Sequence, residues 1–210
     1  MQAHAMAWRS AWSALGATPA VALLQQLVDA YGQPHRHYHA LHHLDACLRQ
    51  LDAARSCARQ AGEVALALWF HDAIYQIAAT DNERQSADWA QAALLQGGVG
   101  PQVAQRVHAL VMVTCHTREP ATDDEQLLLD IDLSILGTPA AQFDRYQDQV
   151  RREYRQVPEA QFRARRKTIL EQFLARPRIY RTDTFRDRFE AQARANLRRS
   201  IDRLGAQGVS

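Results

Sequence analysis

An all-α fold, a compact bundle of many helices, is what this sequence predicts, and three observations predict it. Apolar residues recur at helical spacing through nearly every segment. Gly, at 9, and Pro, at 7, are too scarce among 210 residues for a turn-rich β-sandwich. Those that do occur fall between the periodic stretches, where helices start and stop. With 47% apolar residues the chain can fill one well-packed core. The expectation is therefore a single domain over 1–210, with the basic helices of 140–204 packed on the same core.

Taken in order, Pro19 opens a helix that runs to about Tyr31, with Gly32 as its stop. A His-rich stretch leads into a helix reaching about Arg59, which Gly62 breaks. Glu63 to Tyr75 is the third helix, apolar all round and so predicted to be buried. Glu83 to Gln96 is the fourth, stopped by Gly97 and Gly98, and Pro101 starts a fifth that reaches His116. Asp123 to Leu136 is the sixth, ended by Gly137. From Ala140 to Leu204 two or three amphipathic helices follow, interrupted near Val157-Pro158 and Arg176-Pro177. No strand, repeat or low-complexity linker is predicted, and the short connections suit a bundle.

Composition also excludes. No apolar run approaches the roughly 20 residues of a membrane helix. Met1 to Trp12 mixes His and Arg with small residues and is not a signal peptide. Cys47, Cys57 and Cys115 are odd in number and form no CxxC, which fits a reducing cytosol, so a cytoplasmic protein is expected. The net charge of +2 hides an asymmetry: residues 1–150 hold nine Arg against 16 acids, residues 151–199 hold 15 basic side chains against six acids. The basic tail reads as a solvated helical face pairing with the acidic front half, in preference to a nucleic-acid arm, since no helix-turn-helix or stacking motif accompanies it.

The chemistry-bearing residues cluster. Five of the nine histidines lie between His35 and His43. His39 and His43 are four apart and, on the helix expected there, share a face opposite Leu41, Leu44, Leu48 and Leu51. His71 and Asp72 fall inside the apolar third helix. Burying an unpaired carboxylate costs several kcal/mol, and adjacent helical positions point about 100° apart, so a shared ion explains the pair better than a mutual bond. In the sixth helix the neighbours of Asp132 three and four residues away are Leu128, Leu129, Ile135 and Leu136, so Asp132 is the expected buried acid and Asp130 the wetter one. Two imidazoles and two carboxylates make a mixed nitrogen and oxygen site that suits Mn, Fe, Co, Ni or Zn, and Mg less well. No cysteine is expected in it.

His43, the adjacent His71-Asp72 and the distant Asp132 resemble the H…HD…D pattern of the HD superfamily of metal-dependent phosphohydrolases. Tyr38-His39-Ala40-Leu41-His42-His43 is similar to the stretch of cyclic-nucleotide phosphodiesterases whose first His donates a proton and whose last binds metal. Asp132-Leu133-Ser134 is similar to the segment that supplies their final metal-binding Asp. Further acidic and His positions of those phosphodiesterases are missing after His71-Asp72. A closer resemblance is to small bacterial HD-superfamily proteins of unsettled substrate, and it takes in Asp81-Asn82-Glu83, Thr114-Cys115-His116 and the basic carboxyl-terminal helices.

The resemblance implies an all-helical HD-domain, phosphodiesterase-like fold, a bound divalent metal, and hydrolysis of a phosphate ester of a nucleotide or other small molecule. It implies His43, His71, Asp72 and Asp132 as ligands and His39 as general acid. Metal ions of this kind acidify bound water and polarise a phosphoryl oxygen, and a His just outside the ligands can protonate the leaving group. His116 is a candidate second-metal ligand or phosphate contact, with helix capping as the alternative. Glu83 is a candidate partner that orients a His, against a helix-start acid favoured by the dipole. Arg36, Arg163, Arg166 and Lys167 are the candidate phosphate contacts. Trp69, Trp89 and Tyr75 are expected in the core. Two other readings compete: a non-catalytic metal- and nucleotide-binding sensor, which the absence of a visible output domain in 210 residues disfavours, and a helical nucleic-acid module.

Overall fold

The computed structural model describes residues 2–206: ten α-helices and three short 3-10 turns, with no strand among the described residues. The chain forms two compact units, one running to Leu129 and one from Asp130. No helix among the described residues is long and apolar enough to cross a membrane.

The first unit is built around one helix. Its elements are α1 (Gln2–Ala14), α2 (Leu23–Tyr31), α3 (Leu41–Ala53), α4 (Ala61–Phe70), α5 (Asn82–Gln96), α6 (Pro101–Met112) and the start of α7 (Asp123–Asp132). α4 contacts α1, α3, α5 and α6. Its run from Leu66 to Phe70 is fully buried, as expected for a helix that is apolar all round. Gly62 does not break a helix. It lies inside α4, where a Cβ would come within 2.7 Å of Leu15 and 2.8 Å of Ala14, so its lack of a side chain lets the end of α1 close on α4. α1 itself carries Trp8, Ala11 and Trp12 at helical spacing, all buried, and the Trp8 ring meets Trp69 edge-on at 5.2 Å.

Buried acids tie these helices together. Glu63 of α4 accepts two hydrogen bonds from Arg106 of α6, at 2.9 and 2.6 Å. Asp124, in the first turn of α7, accepts from the backbone N–H groups of Arg59 and Gln60 at 2.7 and 2.9 Å, which fastens α7 to the segment leading into α4.

The second unit holds α8 (Ala140–Glu153), α9 (Glu159–Ala175) and α10 (Asp183–Ala206), behind a 3-10 turn over Leu133–Gly137. Here the structure corrects an expectation. Asp130, not Asp132, is the fully buried acid; Asp132 is only partly buried. Asp130 accepts from the backbone N–H groups of Arg181 and Thr182, both at 2.7 Å, and from the Thr182 hydroxyl at 2.6 Å. Counting apolar neighbours along a helix missed this, because the partners of Asp130 lie some fifty residues away. The basic residues of this unit bond mostly within it. Arg199 and Arg203 share Asp144, Arg194 pairs with Glu190, and Lys167 lies 3.8 Å from Glu171.

Candidate metal centre

Three elements of the first unit bring the histidines together. The chain after α2 passes through Gln33 to Ala40 without helix, and Ala40 is extended (φ −122°, ψ 179°) as the residue before α3. His39 therefore precedes α3 and does not share a helical face with His43, which corrects the expected one-turn spacing. Its ring still lies near, 6.2 Å from that of His43 and stacked on Tyr75 at 4.3 Å. His43 is buried in the first turn of α3.

α4 ends at Phe70, and His71 is its C-cap. The expected helix to Tyr75 is thus five residues too long. After the helix stops, His71 Nε2 comes 3.2 Å from Asp72 Oδ2, although His71 itself keeps helical dihedrals (φ −54°, ψ −37°).

The outcome is a triangle of potential donor atoms. His43 Nε2 lies 3.1 Å from His71 Nε2 and 3.5 Å from Asp72 Oδ2. Ligand atoms about 2.1 Å from one ion are separated by about 3.0 Å at octahedral angles and about 3.4 Å at tetrahedral ones. The three distances fall in and around that range.

The tautomer of His71 agrees. Its Nδ1 lies 2.8 Å from the Leu68 carbonyl, which can only accept, so Nδ1 carries the proton and Nε2 of the neutral ring offers a lone pair to the triangle. A ligating His commonly donates its other N–H to a carbonyl in this way. Burial pushes the Asp72 carboxyl up, but the imidazoles of His71, His39 and His43, when protonated, outweigh it and hold Asp72 well below the usual carboxylate range.

Cys47 joins the cluster, against expectation. It sits one turn after His43 on α3, buried, with its sulfur 3.8 Å from both ring nitrogens of His43. His43, Cys47 and His71 each offer an atom within 4.8 Å of the others, a group able to hold a metal ion. The sequence signal for Cys47 was its i, i+4 spacing from His43, not a second cysteine.

Arg36 is buried behind this centre and acts on its backbone. Its guanidinium donates to the carbonyls of His39 at 3.1 Å, Asp72 at 2.5 Å and Ala73 at 2.9 Å, and to Gln33 Oε1 at 3.1 Å. It also lies over the rings of Tyr31 and Tyr75, at 5.4 and 5.5 Å. One side chain thereby joins the segment before α3 to the segment after α4.

The remaining candidates stand elsewhere. His116 ends the 3-10 turn Val113–Cys115 in the left-handed region (φ 54°), and its atoms are not in the ligand group. Glu83 lies in the first turn of α5, where its charge, after burial, helps raise the Cys115 thiol. Asp132 is the last residue of α7.

Arg163, Arg166 and Lys167 lie on α9 in the second unit. Arg163 donates to the Arg203 and Leu204 carbonyls at the end of α10, and Arg166 to Gln147 and the Tyr146 hydroxyl. Trp69 and Tyr75 are buried, and Trp89 is half-buried. Comparison with known protein families, curated proteins and solved structures finds no match to this chain.

Proposed function

We propose that this chain is a metal-dependent phosphohydrolase of HD type, which cleaves a phosphate ester of a nucleotide or another small molecule. The observation that carries the reading is the triangle of His43 Nε2, His71 Nε2 and Asp72 Oδ2, with sides of 3.1, 3.2 and 3.5 Å. A histidine, an adjacent His-Asp pair and a buried setting are what the H…HD part of the superfamily pattern requires.

The proposed ligands are His43, His71, Asp72 and Asp132. Asp132 is supported by the sequence pattern, as the final Asp of H…HD…D. Two imidazoles and a nearby thiol favour Mn, Fe, Co, Ni or Zn over Mg. A divalent ion bound there supplies positive charge that polarises a phosphoryl oxygen and acidifies water.

The chain's own residues supply the rest. Asp72, held ionised, offers the negative charge that draws a cation into a mostly buried site. Leu68 fixes the His71 ring through its carbonyl, and Arg36 fixes the backbone on both sides of the centre. His39, outside the triangle and stacked on Tyr75, is the proposed proton donor to the leaving oxygen.

Elemental analysis of the purified chain, joined to a screen of phosphomonoesters, phosphodiesters and nucleotides in each of the five metals, tests the reading. The expected outcome is about one or two ions per chain and hydrolysis of at least one ester class, lost together in His71→Ala. A chain that holds metal but hydrolyses nothing on the panel would refute the catalytic assignment.

A further inference from the structure

A cavity of about 370 Å³ opens in the first unit against the two segments that carry the metal centre. One wall is Gln33 to Arg36, just before His39 and His43; another is Ala73 to Gln76, just after His71 and Asp72. The volume is within the range of small-molecule sites. Its chemistry is uneven in a way that narrows the ligand.

Acceptors and amides dominate the polar part. Asp29 presents an exposed carboxylate, with Oδ1 already taking a hydrogen bond from Gln25 at 2.8 Å. Gln26, Gln33 and Gln76 bring three carboxamides. His35 lies 2.8 Å from the Tyr75 carbonyl through Nε2; that nitrogen must donate, so the Nδ1 of the neutral ring is an acceptor. Arg36 is the only arginine or lysine among the described residues of the wall, and its guanidinium is committed to Gln33 and to three backbone carbonyls. The cavity is thus poorly equipped for a phosphate and well equipped for N–H donors. Two flat side chains, Tyr75 and the half-buried Trp89, complete it with aromatic surface.

From this arrangement we infer that the cavity binds an amino-bearing heterocycle, the nucleobase of a nucleotide, with its exocyclic and ring N–H groups on Asp29 and the glutamines and its face on Trp89. The inference rests on the phosphohydrolase reading only in calling that nucleotide the substrate; the binding itself does not. Tyr75 links the two places physically, since it lines the cavity and stacks on His39 at 4.3 Å.

The experiment uses nucleosides, which lack phosphate, on the full-length chain after metal removal with a chelator. Adenosine, guanosine, cytidine, uridine and ribose are titrated while Trp fluorescence and heat of binding are followed. Adenosine, guanosine or cytidine should bind, and ribose should not. Asp29→Asn and Gln76→Ala, both at exposed positions, should each weaken binding about five- to tenfold, because one net hydrogen bond is worth about that factor. Absence of nucleoside binding, or equal affinity in the wild type and both variants, overturns the inference. Tighter binding of ribose or of inorganic phosphate than of any nucleoside overturns it as well. Nucleoside binding in a chain that hydrolyses no ester supports the cavity assignment and refutes the catalytic one, so the two failures are told apart.

Discussion

Asp72→Asn tests the metal centre most directly, because it keeps the shape of the side chain and one oxygen while removing the charge. In the wild-type chain Asp72 Oδ2 stands 3.2 Å from His71 Nε2 and 3.5 Å from His43 Nε2, a separation that a shared ion would bridge. An ion at a hundred times its dissociation constant stabilises the folded state by about 2.7 kcal/mol. For a unit of this size each kcal/mol moves the melting temperature by roughly 3–4 °C, so repletion should raise the transition of the site-bearing unit by about 8–11 °C. Changes among the groups around a metal's ligands already cost ten- to a hundredfold in affinity, and loss of a ligand's charge should cost about a hundredfold or more. At the same metal concentration the variant would then sit near or below its own dissociation constant. The remaining gain is about 0.4 kcal/mol or less, a shift of about 1–2 °C. Differential scanning calorimetry on chelated and repleted samples, run with Mn, Fe, Co, Ni and Zn in turn, reads both numbers. A variant that gains as much from metal as the wild type would refute the role of Asp72. So would a wild-type chain whose transition none of the five ions moves.

His39→Ala should retain its metal yet slow turnover by about 10²–10⁴-fold on an ester with a poor leaving group, and by little on an activated aryl ester; metal loss equal to that of His43→Ala would make His39 a ligand instead. Burial pushes the Asp130 carboxyl from 3.8 up to about 6. Its folded value therefore exceeds its unfolded one, and its contribution is complete below about pH 4 and lost as the pH rises through about 6, a change of about 3 kcal/mol. Urea titrations between pH 4 and 7 should show that decline in the second unit, and Asp130→Asn should flatten it; a slope unaltered by the substitution counts against the assignment. Gly137→Ala would place a Cβ 2.5 Å from Phe189 Cβ and 2.7 Å from its carbonyl oxygen. Because the helix backbone of α10 must give way, a loss of about 1–3 kcal/mol is expected, and an unchanged denaturation midpoint would show that the 3-10 turn shifts freely.

What the sequence made legible, and what it did not, divides along a physical line. Periodicity and stop signals placed α2 to α7 and, as two or three helices, the stretch that forms α8 to α10, because amphipathic spacing is a local property. α1 lies outside the expected helices, although Trp8, Ala11 and Trp12 carry the spacing of a buried face. His43, His71 and Asp72 stood out because polar groups in apolar surroundings demand a partner. How His71 and Asp72 meet was not legible, since their approach to 3.2 Å is a matter of side-chain placement that the helical repeat does not set. The exchange of Asp130 for Asp132 as the buried acid has the same origin. A helical wheel ranks positions by their own helix, whereas Asp130 owes its burial to Arg181 and Thr182.

Arg36 shows the limit most sharply. From composition it is one more arginine beside a candidate phosphate site. In the fold its planar fork is spent on carbonyls that irregular backbone leaves without partners, those of His39, Asp72 and Ala73. Such carbonyls arise only where helices end, and helix ends are also where His71 and Asp72 converge. The arginine and the His71-Asp72 pair therefore meet at one place: a chain that interrupts its helices must find donors for the backbone it exposes. A lysine at position 36 would carry the same charge, but its single ammonium cannot reproduce the guanidinium's spread of donors across both segments. That substitution would loosen the segments on either side of the centre without touching a ligand.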